Sequence, residues 1–159
     1  MPSRRAHWLS PLAFTIHNLE EAATMPAFWE RAGRLRPPVE APALWFALAV
    51  ITGAAWLLAW AAGRSERSPW RRIEAGWWGM VLLNVLFPHV LGSLYLLEYA
   101  PGVVTAVVLN LPVHAYLLRE ELRTGTLAPR AAVLATAGVS AVVLGSIPVL
   151  LGIGRIALG

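Results

Sequence analysis

Four long apolar runs leave this chain few choices. Ala41 to Gly63 contains no ionisable residue. Gly76 to Tyr99 is broken by Asn84, His89 and Glu98, and Pro101 to Leu118 by Asn110 and His114. Ala131 to about Gly154 holds only apolar and small residues. Each run is long enough to cross a hydrocarbon core of about 30 Å at about 1.5 Å per residue. A fifth stretch, Trp8 to Trp29, is apolar at both ends and carries His17, Asn18, Glu20 and Glu21 at its centre. The pattern predicts an all-α polytopic membrane bundle. It forms a single domain over 1–159, with helices at about 8–29, 41–63, 76–99, 101–118 and 131–154.

Composition agrees. Apolar and aromatic residues make up 57% and charged residues 14%. A soluble domain has roughly 45–50% and about 25%, so a cytosolic globule and a disordered chain are both excluded. The absence of cysteine excludes a disulfide framework, a thiolate metal site, an iron–sulfur cluster and a cysteine nucleophile. The net charge of +4 does not point to nucleic acid, because the arginines lie in the gaps between apolar runs. Two adjacent glutamates argue against a signal peptide behind Arg4-Arg5.

With five spans, one side carries Arg4, Arg5, Arg64, Arg67, Arg71, Arg72, Arg119, Arg123 and Arg130. The other carries Arg31, Arg34, Arg36 and Arg155. The positive-inside rule then places the chain in the cell membrane, N-terminus cytoplasmic and C-terminus outside. Tryptophans near segment ends, among them Trp77 and Trp78, read as interfacial anchors and as packing residues. His7 reads as interfacial, and Glu120 and Glu121 as solvated loop residues. Ala131, Gly138, Gly145 and Gly152, seven apart, form a small-residue stripe for close helix packing, with a homodimer through Gly138 and Gly145 as the alternative use.

The rare polar residues carry the functional signal. All three asparagines, Asn18, Asn84 and Asn110, lie inside apolar segments, as do His17, His89 and His114. The midpoints of three segments fall near Leu19, Pro88 and Asn110, which brings these groups to one depth. An acidic side chain at the midplane costs roughly 2.5–3.5 kcal/mol, so the groups are expected to converge in the bundle interior. His17 and Glu21, four apart, share a helical face, with Glu20 flanking it. Asn84 and His89, five apart, do not share a face of an ideal helix. Pro88 removes the bond to the Asn84 carbonyl, however, and a kink there would turn both towards one cavity. Pro112 frees the carbonyl of Val108 in the same way. Ser93, one turn beyond His89, is placed to support it, and Thr105 and Tyr95 read as packing.

The stretch His17-Asn18-Leu19-Glu20-Glu21 has the form H-x-x-E-E. Together with Asn84…His89, Pro101-Gly102 and Asn110-Leu-Pro-Val-His114, it resembles the HXXEE family of integral membrane proteins over about Trp8 to Leu118. The resemblance implies that His17, Glu20 and Glu21 are signature positions, and it implies no reaction.

Three readings follow. In the first, His17, His89 and His114 ligate zinc or iron and Glu20 or Glu21 is a fourth ligand or general base. Asn18, Asn84, Asn110 and Ser93 support these ligands or bind substrate, and the protein is a metal-dependent hydrolase or oxidase acting on a lipophilic small molecule. In the second, a metal-free pocket binds a lipid or small amphiphile, or isomerises it with Glu21 and His17 as a proton-transfer couple. In the third, the polar groups form a packing network that only specifies the bundle.

Overall fold

The computed structural model describes residues 6–32, 39–64 and 69–158. It consists of five helices, and no strand occurs among the described residues. A short 3-10 turn, Ala6–Trp8, leads into α1, Leu9–Ala32. Helix α2 is Ala41–Gly63 and α3 is Trp70–Leu96. Helix α4 covers 103–123 and α5 is Pro129–Leu158. Three of the five, α2, α3 and α5, are long and apolar enough to cross a membrane. Helices α1 and α4 carry most of the buried polar residues.

The helices pack in a ring, α1 against α2, α2 against α5, α5 against α3, α3 against α4, and α4 back against α1. Small residues set the closest approach. A Cβ built on Gly76 would lie 2.6 Å from the Ala135 carbonyl oxygen, and one on Gly154 would lie 2.8 Å from Ala43 Cα. Phe14, Trp77, Trp78, Val81 and Leu117 fill the core between α1, α3 and α4. Trp77 and Trp78 are therefore core residues and not part of an interfacial belt. The outer surface is apolar, with Leu57, Leu134, Val142 and Leu144 exposed. A contiguous apolar exterior of this kind suits lipid rather than water. On α5, Ala131 packs against the core, whereas a Cβ built on Gly138, Gly145 or Gly152 meets nothing within 4 Å among the described residues, so those three glycines set no close helix approach there.

Two helices run past their apolar runs, and this changes two expectations. Helix α3 begins at Trp70, which draws Arg71 and Glu74 into the fold, and α4 continues to Arg123, which draws in Glu121. Glu121 is buried against Arg71 rather than solvated. His7 is buried too, with Nδ1 3.1 Å from Glu74 Oε1. Pairing partners 50 and 67 residues apart offsets the cost of burying these groups. They close the end of the bundle where α1 and α3 begin.

A candidate metal centre beneath the Pro101–Gly102 turn

The site forms where two helices lose regular geometry. In α3, Val85–Val90 is a widened, π-helical turn, and Phe87 inside it is extended at φ −135° and ψ 120°. The extended residue breaks the helix into two segments, and the kink between them brings residues five apart onto one side. Asn84 Oδ1 accordingly lies 3.1 Å from His89 Nε2. The predicted pairing of these residues around Pro88 thus occurs through the kink expected there. A second widened turn, Ala106–Asn110, stands immediately before Pro112.

His17, Glu21 and His89 converge. The Glu21 carboxylate oxygen Oε1 lies 3.8 Å from His17 Nε2 and 3.5 Å from His89 Nε2. The two imidazoles stand edge to face, with centroids 4.7 Å apart. Both are buried. One ligand atom from each of the three residues lies within 4.8 Å of the others.

Outer contacts fix which nitrogen faces the centre. His89 Nδ1 donates to the Pro101 carbonyl at 2.8 Å. The Thr105 hydroxyl donates to the Gly102 carbonyl at 3.3 Å, leaving its oxygen to accept from His17 Nδ1 at 3.1 Å. A neutral imidazole protonated at Nδ1 presents its lone pair at Nε2. In that tautomer each Nε2 turns its lone pair towards Glu21.

The turn between α3 and α4 closes the site. Gly102 adopts φ +80°, and a Cβ there would lie 2.7 Å from His17 Cε1, 2.8 Å from Glu21 Cγ and 3.0 Å from His89 Cε1. Only glycine combines the left-handed backbone with this close approach. Ser93 supports the turn rather than His89, since its hydroxyl accepts the Ala100 N–H at 3.0 Å.

The other expected site residues lie elsewhere. Glu20 accepts the Thr105 N–H at 2.8 Å and the Tyr99 hydroxyl, outside the triangle. Asn18 donates to Thr52 at 2.7 Å and ties α1 to α2. His114 is not brought to the cluster. Its Nδ1 donates to the Asn110 carbonyl at 2.8 Å and its Nε2 accepts from Ser10 at 3.0 Å, so both nitrogens are occupied. The side chain of Asn110 is wholly buried with neither amide atom paired. His114 is separated from the cluster along α4, because Gly102, the residue before that helix, packs against Glu21. His114, twelve residues beyond Gly102, then falls about 18 Å further along. Pro101 and Gly102, which enter the sequence pattern through the family resemblance, and Thr105, expected to serve packing, also contribute to the site. The Pro-Gly dipeptide was the available signal, because it marks backbone that side chains cannot occupy.

The sequence comparison agrees with the motif at the centre of this site. Residues 8–117 match the model of a family described as a protein of unknown function with HXXEE motif. The chain belongs to the HXXEE family. It is also 30% identical over 145 residues to the uncharacterized protein YrkK of Bacillus subtilis (strain 168), covering 89% of this chain and 90% of that protein. No solved structure matches. The family's motif residues His17 and Glu21 are two of the three corners of the triangle, and Glu20 stands beside it.

Proposed function

We propose that this HXXEE protein holds a divalent transition-metal ion on His17, His89 and Glu21, and that it is a metal-dependent enzyme acting on a lipophilic substrate. One observation carries the reading. Two imidazole nitrogens and a carboxylate oxygen face one another in a buried place. With both imidazoles protonated at Nδ1, these three groups meet as acceptors, an arrangement that a cation or a shared proton between them stabilises.

The spacing suits a metal. Two ligand bonds of about 2.0–2.1 Å at a tetrahedral angle end about 3.3–3.4 Å apart. The separations of 3.5 and 3.8 Å are within a small contraction of that value. Two histidines and one carboxylate suit zinc first and ferrous iron second. Outer hydrogen bonds on each Nδ1 are the usual means of orienting ligating imidazoles.

When bound, such an ion supplies Lewis acidity and an acidified water, which favours hydrolysis with zinc and oxidation with iron. The chain contributes the ligand orientation, the Gly102 backbone that covers the centre, and an apolar approach. Leu19, Phe87 and Leu97 are exposed near the site and favour a substrate arriving from lipid. The arginine asymmetry supports a cell-membrane location with the N-terminus cytoplasmic.

Elemental analysis of detergent-purified, untagged protein tests the reading. About one zinc or iron per chain is expected in the wild type, and loss of it in Glu21→Ala and in His17→Ala/His89→Ala. Absence of metal from the wild type after metal-supplemented growth without chelators refutes it. The acceptors would then have to share a proton.

A further inference from the structure

The two glutamates of the signature differ in what they touch. We propose that Glu21 alone ligates the centre and that Glu20 is a positioning residue. It orients both imidazoles by anchoring the segment that holds their Nδ1 atoms. The affinity part of this proposal rests on the metal reading, whereas the part concerning imidazole orientation does not.

Adjacent residues on a helix point about 100° apart, so only one of the two glutamates can share the His17 face. Glu21 does, and Glu20 is directed at residues 99–105. One of its oxygens accepts the Thr105 N–H at 2.8 Å and the other accepts the Tyr99 hydroxyl. These two bonds bracket the segment. Within the bracket lie the Pro101 carbonyl that receives His89 Nδ1–H and the Gly102 carbonyl that orients the Thr105 hydroxyl. Thr105 itself receives His17 Nδ1–H. Every outer contact that sets the two imidazoles therefore comes from the stretch that Glu20 grips.

The grip also has a local cause. The first N–H groups of α4 lack partners within the helix, and Gly102 before them offers no side-chain cap. A carboxylate from α1 fills that role, favoured by the positive end of the helix dipole. A single group thereby starts α4, holds the turn over the centre and fixes two tautomers.

Full-length protein labelled with 15N-histidine in detergent micelles provides the test. In long-range proton–nitrogen spectra of the metal-free wild type, His17 and His89 are expected as Nδ1–H tautomers. In Glu20→Ala, both are expected to become tautomer mixtures. His114, held by Ser10 and the Asn110 carbonyl, is expected to stay unchanged as the internal control. Zinc titration of Glu20→Ala is expected to keep about one site per chain with affinity about 10–100-fold weaker, the usual effect of losing an outer contact. Thr105→Val is expected to weaken zinc similarly, and the double variant to fall short of the product of the two. Loss of the stoichiometric site in Glu20→Ala with tautomers intact would make Glu20 a ligand and overturn the proposal. Unchanged tautomers and unchanged affinity would overturn it too. If the wild type binds no zinc, the metal reading fails and the tautomer spectra alone decide the role of Glu20. Should Glu20→Ala not assemble, Tyr99→Phe removes one of the two anchoring bonds at an exposed residue. It is expected to give the same tautomer mixing to a smaller extent, and unmixed tautomers there would overturn the proposal.

Discussion

Replacing Gly102 by alanine separates two costs that the structure combines at one position. Gly102 and Gly125 both adopt left-handed backbone, at φ +80° and +69°. An alanine in that conformation costs about 1–2 kcal/mol. At Gly125 a Cβ meets nothing within 4 Å, so Gly125→Ala is expected to carry that cost alone. At Gly102 it meets His17, Glu21 and His89 at 2.7, 2.8 and 3.0 Å, below the 3.4 Å at which ordinary contact begins. The three side chains must retreat by 0.4 to 0.7 Å, taking the difference from 3.4 Å in each case. Overpacking of that kind adds about 1–3 kcal/mol. Ligand distances tolerate only about 0.2 Å, so the same retreat is expected to weaken metal binding strongly. Tryptophan-monitored thermal unfolding in detergent, with and without zinc, reads both effects. Gly102→Ala should unfold below Gly125→Ala and lose most of its zinc stabilisation, whereas Gly125→Ala should keep it. Equal behaviour of the two variants would show that the turn does not press on the three side chains, and the account of the closed site would fail.

Two further outcomes test the assignment of residues. His114→Phe should leave metal stoichiometry unchanged, because both ring nitrogens are already occupied by Ser10 and Asn110. It should lower stability by about 1–3 kcal/mol, since the buried Ser10 hydroxyl loses its acceptor. Loss of metal in that variant would return His114 to the ligand set. Asn110→Leu should raise the unfolding temperature, because a wholly buried amide with no partner costs about 1–3 kcal/mol relative to an apolar group of similar shape. A fall in stability would mean that the amide has a bound partner of its own.

The five helices were legible because apolar run length is a one-dimensional quantity. The pairing of His17 with Glu21 was legible too, since a four-residue spacing on a helix fixes a shared face. Asn84 and His89 needed one more fact. Pro88 announced a disturbance, but the geometry of the resulting kink depends on packing that a single segment does not encode. His114 shows where the reasoning broke. Segment midpoints bring residues together only if the helices are in matching register, and α4 instead sets Gly102, the residue before its first turn, against Glu21, twelve residues short of His114. Glu121 and His7, read as solvated and interfacial, are buried for a related reason. Hydropathy ends a helix where charge begins, whereas the fold carries it on by pairing charges from distant segments.

The placement of pairs bears on whether the buried polar groups are more than packing. A network that only specifies a bundle should leave each buried donor facing an acceptor. Much of the seam between α1 and its neighbours meets that standard. Ser10 is matched with His114, Asn18 with Thr52, and Glu20 with Thr105 and Tyr99. Those contacts need no ligand to explain them. At His17, Glu21 and His89 the donors are satisfied too, but in a particular arrangement. The donors, both Nδ1–H groups, are spent on backbone and hydroxyl oxygens outside the triangle. What remains inside is acceptor against acceptor, at 3.5 and 3.8 Å, under a glycine that leaves no room for a side chain. On the metal reading, a cation held between the three groups accounts for this arrangement, and a proton shared among them is the alternative that the elemental analysis separates from it.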